Sequence, residues 1–191
     1  LVDIEAPVEE NLKRVAKAKG KAISDVTAII LDRPRNQGYI QAIRETGSRI
    51  ALIEDGDISG AISTAKRDSP IDILFGIGGS PEAVTAACAM TALRGEIQCK
   101  LWPRDTEERN YAHDHNLDLD EVITNRGLVN SDNTFFAATG VTNGELLAGV
   151  EFIGQEARTH SVVMRSKTGT VRFIDAVLRI SRLREISQIY M

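Results

Sequence analysis

Three short runs rich in β-branched residues, at 26–31, 49–53 and 71–75, alternate with segments of helical character, and this alternation constrains the fold more than any other feature of the chain. The helical segments are 38–45, closed by Gly47, then 58–66, and the alanine-rich 83–93. Strand followed by helix followed by strand is the pattern of a parallel sheet, because parallel neighbours need a crossover long enough to hold a helix. The expectation is therefore an α/β fold with a largely parallel sheet. In such a sheet the carboxyl ends of the strands share one edge, and ligands bind in the crevice beyond it.

Each run ends in residues suited to a phosphorylated ligand. The first is followed by Asp32-Arg33-Pro34-Arg35, the second by Glu54-Asp55-Gly56-Asp57 and the third by Gly76-Ile77-Gly78-Gly79-Ser80-Pro81-Glu82. Arginines offer forked donors to phosphate oxygens. Aspartates accept hydrogen bonds from sugar hydroxyls or bind hard cations. The glycines lie where a strand passes into a helix, and Pro81 fits a first helical turn, where its missing N–H costs nothing. Free amides and the helix dipole then favour an anion, and Glu82 beside that anion calls for a cation between them. Neither G-x-G-x-x-G nor a Gly-Lys-Ser/Thr phosphate loop is present, which disfavours a nucleotide-binding domain. The plain alternative is a tight strand-to-helix turn with a helix-capping acid.

The rest of the chain completes a domain. Residues 8–18 form an amphipathic pattern closed by Gly20. A strand is expected at 134–138, a short helix at 144–149, and a β-hairpin from 161–165 and 170–174 about Lys167-Thr168-Gly169. The tail 179–191 reads as a terminal helix or strand, or as a segment packed on a partner subunit. Asp132 and Thr142 suit either the site or loop capping. Two cysteines make no disulfide framework, and Cys88 in the alanine-rich helix reads as a buried thiol. His113 and His115 fall in a polar helix and loop, and His160 opens a strand. A net charge of −4 and 5% aromatic residues disfavour nucleic acid, and the apolar runs are too short to span a membrane.

Together with Asn133-Thr134-Phe135-Phe136-Ala137-Ala138-Thr139-Gly140-Val141-Thr142-Asn143-Gly144, the three strand-end motifs resemble the class II fructose-1,6-bisphosphatases in order and spacing, over essentially all 191 residues. The chain is most similar to the cyanobacterial branch, whose members also hydrolyse sedoheptulose-1,7-bisphosphate. The resemblance implies a layered sugar-phosphatase fold and a cytoplasmic, homo-oligomeric (tetrameric) phosphatase of gluconeogenesis or the Calvin cycle that uses Mg²⁺ or Mn²⁺. It implies that Arg33, Pro34 and Arg35 hold the bisphosphate, that Asp55, Gly56 and Asp57 hold the sugar, that Gly79 contacts substrate and that Glu82 is a metal ligand. The family commonly has lysine where this chain has Arg33. Its other metal ligands lie on earlier motifs of the Asp-x-x-Glu-Gly-Thr kind, which do not occur here. The expectation is thus the C-terminal part of a longer enzyme, without the N-terminal metal-binding part and inactive by itself. The rival reading is a non-catalytic sugar-phosphate-binding module.

Overall fold

The computed structural model of the chain describes residues 1–186. Helix α1 (Val8–Lys19) begins after Pro7 and stops at Gly20, whose φ of 62° ends the helix in the left-handed region. Strand β1 (Thr27–Leu31) leads through a short turn to α2 (Gln37–Glu45), and β2 (Arg49–Ile53) leads to α3 (Asp57–Ala65). Strand β3 (Ile73–Leu74) then enters α4 (Ser80–Leu93). The third strand is shorter than the apolar run because Ile71 and Asp72 approach β1 at its amino end without extending the ladder, and only Ile73 and Leu74 pair with Ala28 and Ile29. All three strands are parallel, in the order β2-β1-β3.

That order decides where a ligand can sit. The chain leaves β1 for α2 on one face of the sheet and leaves β3 for α4 on the other. On the first face Leu12, Val15 and Ala16 of α1 and Ile40 and Ile43 of α2 pack on Ala28 and Ile30 of β1 in one fully buried core. On the second face a side chain at Gly60 of α3 would press on Leu74, Ile29 and Ile53. Because β1 and β3 are neighbours whose exits diverge, their carboxyl ends form the switch point near which open α/β sheets bind ligands.

Beyond α4 the chain builds a second layer of strands. Short strands β4 (Gln98–Cys99) and β5 (Ile123–Thr124) pair with each other around α5 (Thr106–Asp114), and α6 (Asn125–Leu128) follows. Strands β6 (Phe135–Thr139), β7 (Glu151–Ile153), β8 (Glu156–Arg165) and β9 (Thr170–Arg179) form an antiparallel sheet, and α7 (Ile180–Ile186) ends the described residues. Phe136, Val162 and Met164 of this sheet meet Ala89 and Ala92 of α4 and Ile62 of α3. Helix α4 is thereby covered by α3 and by the antiparallel sheet, which explains its composition: Ala86, Ala87, Ala89, Met90 and Ala92 are all buried, and small side chains let both neighbours approach the helix closely. The layers run helix, parallel sheet, helix, antiparallel sheet.

The hairpin extends well past its expected bounds, to ten residues in each arm, because β8 is paired on both edges. The helix expected at 144–149 is absent. Gly144 N–H donates to Leu147 O, Asn143 Oδ1 accepts the Gly149 N–H, and Leu146 and Leu147 are drawn into the second core, so the segment is a closed loop. Burying two adjacent leucines from a glycine-flanked segment outweighs a helical turn of no more than two hydrogen bonds. Of the 179–191 tail, Arg179 ends β9 and 180–186 are helical; 187–191 lie outside the described residues.

At the amino ends of the strands, opposite the crevice, Asp72 ties the sheet together. Its carboxylate is fully buried and accepts from Lys19 Nζ at 2.7 Å, from Lys21 Nζ at 2.8 Å and from the Thr27 N–H at 2.9 Å. Burial by itself would raise the Asp72 pKa, but these three donors together outweigh it and hold the group below the usual carboxylate range. A depressed folded pKa stabilises the fold above the unfolded value of about 3.9, and that stability is lost as pH falls through the folded value. We expect Asp72→Ala to lower unfolding free energy by about 2–3 kcal/mol at pH 7, with a smaller difference from wild type in strong acid. Urea denaturation at both pH values checks this.

Candidate functional site

Two of the three strand ends, those of β1 and β3, are joined by one buried amide. Asn36, wholly inaccessible to solvent, closes a single 3₁₀ turn, Pro34–Asn36, that follows β1. Its Nδ2 donates to Leu31 O at 2.9 Å, at the last residue of β1, and its Oδ1 accepts the Ile77 N–H at 3.0 Å, in the glycine turn after β3. Asn36 therefore satisfies backbone groups on both walls of the switch point. Arg35 repeats the link nearer the surface, its Nε donating to Ile77 O at 2.6 Å. The neighbouring Arg33 turns the other way. Its Nη2 donates to Glu54 O at 2.5 Å and lies 4.0 Å from the Asp55 carboxylate, in the loop after β2. The two arginines expected to act as a pair thus stand on opposite sides of β1, with Pro34 between them starting the turn.

The acidic residues complete the rim. Asp55 is fully exposed. Gly56 caps α3, and Asp57 opens it with Oδ1 accepting the Ile58 N–H at 2.9 Å. The other Asp57 oxygen reaches the glycine turn, where a Cβ on Gly78 would stand 3.0 Å from it. Gly79 caps α4 with extended backbone and no side-chain hydrogen bond, and Pro81 occupies the first turn. The Glu82 carboxylate folds back over that cap so closely that a Cβ on Gly79 would lie 2.0 Å from its Oε2. Glycine at 79 is thus what gives the carboxylate its place. All eight residues singled out from the sequence lie along one edge of the sheet.

The structure adds residues that sequence reasoning missed. An open cleft of about 410 Å³ lies beyond β1 and β2, lined by Ile29, Ile53, Glu54, Asp55 and Ser59 on one side and by Asn143, Gly144 and Glu145 on the other. Asn143 and Gly144 stood in the sequence motif without a role, and a long-range approach of residues some ninety positions apart has no local signal. Asn36 carried one: a polar residue two places after a proline, in the turn that follows a buried strand. Among the described residues no group of three or more His, Cys, Asp or Glu side chains is arranged to hold a metal ion. Of the groups outside the site, Asp132 pairs with Arg126 on the surface, burial pushes the Cys99 thiol up and out of the reactive range, and His115 stacks on Tyr111. No helix among the described residues is long and apolar enough to cross a membrane.

Residues 1–178 match the family model described as bacterial fructose-1,6-bisphosphatase, glpX-encoded. The chain belongs to this family. It is 37% identical over 202 aligned positions to the class 2 fructose-1,6-bisphosphatase of Haemophilus influenzae, covering 99% of this chain and 61% of that protein. It is 34% identical over 203 positions to fructose-1,6-bisphosphatase 1 class 2 of Escherichia coli K12, covering 100% of this chain and 60% of that protein. The chain thus spans about three-fifths of the length of these bisphosphatases. A solved sugar N-methyltransferase from Streptoalloteichus aligns at 12% identity with a TM-score of 0.25, over 92% of this chain and 72% of that one, too weak a likeness to carry an argument.

For this bisphosphatase-family chain, loss of the Asn36 amide should separate the two walls. Asn36→Ala leaves the Ile77 N–H without its partner and takes one of two donors from the Leu31 carbonyl, which still accepts the Arg33 N–H, at a cost of about 1–3 kcal/mol. A lower urea midpoint with faster exchange of the Ile77 amide is the expected result.

Proposed function

We propose that this chain forms the substrate-binding part of a longer, cytoplasmic, homo-oligomeric class 2 fructose-1,6-bisphosphatase, which removes the 1-phosphate of fructose 1,6-bisphosphate and also accepts sedoheptulose 1,7-bisphosphate. The observation that carries this reading is the meeting, at one sheet edge, of two arginines, two aspartates and the amino end of α4 with Glu82. Phosphate, polyol and cation each find matching donors or acceptors there.

The division of labour follows from position. Arg35 spends only Nε on Ile77 O among the described residues, which leaves both Nη groups for phosphate oxygens, while Arg33 is set to receive a second phosphate from the β2 side. Asp55, in the wall of the cleft, accepts sugar hydroxyls, which places the sugar in the cleft and a phosphate over the glycine turn. The first-turn amides of α4 point at that phosphate without reorganising as charge develops on its oxygens. Holding both ends of the substrate fixes the reacting phosphorus against the catalytic groups.

Mg²⁺ or Mn²⁺ fits the donor chemistry, which is all carboxylate oxygen at this rim, and such ions need only one or two protein carboxylates beside substrate phosphate and water. Glu82 would hold the ion, with the remaining ligands and the water-activating group supplied by the rest of the enzyme. When bound, the ion would activate a water and neutralise charge on the departing oxygen.

In the full-length enzyme, phosphate release from fructose 1,6-bisphosphate should require added Mg²⁺ or Mn²⁺ and stop in excess chelator. Glu82→Gln, which keeps shape but loses charge, should lower kcat at least about 100-fold, as expected for loss of a group that stabilises transition-state charge. Sugar-bisphosphate binding without any turnover under these conditions would favour the non-catalytic module instead.

The arginines provide a separate check. Arg33→Ala removes a contact to the second, non-reacting phosphate, made about equally in ground and transition states, so KM should rise about tenfold with kcat within about threefold of wild type. A loss confined to kcat would show that Arg33 acts on the reacting phosphate itself.

A further inference from the structure

The loop 141–150 that forms the far wall of the cleft is held by a side chain outside it. Its ends meet: Val150 N–H donates to Val141 O at 3.2 Å, and any Cβ on Gly140 would come within 2.0 Å of Ala148 O. Leu146 and Leu147 anchor it in the second core, while Asn143, Gly144 and Glu145 face Glu54, Asp55 and Ser59 across the cleft. Both shoulders of the loop then converge on His160 of β8. The His160 carbonyl accepts the Gly140 N–H at 3.0 Å, and its Nδ1 accepts the Ala148 N–H at 3.1 Å.

A backbone N–H can only donate, so the second bond exists only while Nδ1 carries no proton; the neutral ring then holds its proton on Nε2. Protonation would set two N–H groups against each other. Histidine is the side chain that ordinarily changes charge between pH 5 and 8. The ring stacks on Phe173 with centroids 5.7 Å apart, and Lys66, just past α3, has its Nζ 5.9 Å from that same phenyl ring. Asp175 of β9 lies directly opposite His160 in the strand register, Arg158 precedes it on the same face of β8, and Glu151 of β7 lies opposite Arg158. On the loop side the charged residue is Glu145.

We propose that His160 is a positioning residue whose neutral imidazole latches the 141–150 loop against the cleft, and that protonation of Nδ1 releases it. The consequence for catalysis rests on the reading above, in which the cleft receives the sugar. A loop that loses this bond holds Asn143 and Glu145 less firmly and binds substrate less well, without touching the groups assigned to phosphate or metal.

The test separates the latch from that reading. Ala148 amide exchange, taken relative to its intrinsic rate, and the His160 ring shifts are followed by NMR from pH 5 to 8. Protection of Ala148 should fall about five-fold as pH drops, with the same midpoint as the His160 ring, the size set by one net hydrogen bond. His160→Gln offers an oxygen acceptor that does not titrate and should keep Ala148 protected throughout, whereas His160→Ala should leave it unprotected at every pH. If His160→Ala does not fold, the wild-type titration and His160→Gln still decide. In the full-length enzyme, KM for the bisphosphate should rise below that midpoint in wild type and stay flat in His160→Gln. Ala148 exchange indifferent to the state of His160, or a Gln variant that behaves like Ala, overturns the latch. An exchange midpoint that follows His160 together with a flat KM supports the latch and overturns the placing of the sugar in this cleft.

Discussion

The Asn36 side chain spans the point where the chain leaves the parallel sheet in two directions, and the candidate site depends on it. Leaving β1 towards one face and β3 towards the other separates the chain beyond the two strands, so the Ile77 N–H has no strand partner and the Leu31 carbonyl keeps, besides the Arg33 N–H, only what a side chain can bring. Buried backbone groups need partners. A primary amide carries an NH₂ donor group and a carbonyl acceptor about 2 Å apart, which matches a carbonyl on one wall and an N–H on the other. A carboxylate offers no donor, and an aliphatic side chain satisfies neither wall. With the walls fixed, Arg35 closes the same gap from outside and the glycine turn acquires a defined path into α4.

From that path the remaining geometry follows. The turn must pass close to α3, and glycine at 78 leaves room for the Asp57 carboxylate, so the loops after β2 and β3 touch through an acid and a backbone. Glycine at 79 leaves room for Glu82 to fold back over the cap of its own helix. The aspartate and the glutamate are therefore oriented by missing side chains, not by ion pairs, and remain able to accept from hydroxyls or coordinate a cation. The strongly paired carboxylate, Asp72, lies at the opposite end of the sheet, where it serves stability alone.

The four-layer arrangement gives the site its second wall. Helix α4 packs on α3 and on the antiparallel sheet, so its position couples the glycine turn at its amino end to strands β6 and β8 on its flank. The loop between β6 and β7 is drawn inward by Leu146 and Leu147 and presents Asn143 to Glu145 to the cleft. A ligand in the cleft would thus meet the first strand layer on one side and a loop of the second on the other.

The sequence by itself determined the alternation of strands and helices, the parallel sheet, and the gathering of Arg33, Arg35, Asp55, Asp57, Gly79 and Glu82 at one edge. These are consequences of short-range pattern: apolar runs define strands, intervening helices force parallel pairing, and parallel pairing aligns the residues that follow each strand. The motif resemblance anticipated the family to which the chain belongs. Tertiary structure alone decided the strand order, and with it that Arg33 and Arg35 face different loops across β1. It also decided that residues 144–149 close into a loop, because the gain from burying two leucines against α4 is a long-range term that local helical preference cannot report. The bridging role of Asn36 and the latch at His160 belong to the same class: each joins backbone groups distant in the chain, and no spacing in the sequence encodes which carbonyl or N–H will need a partner.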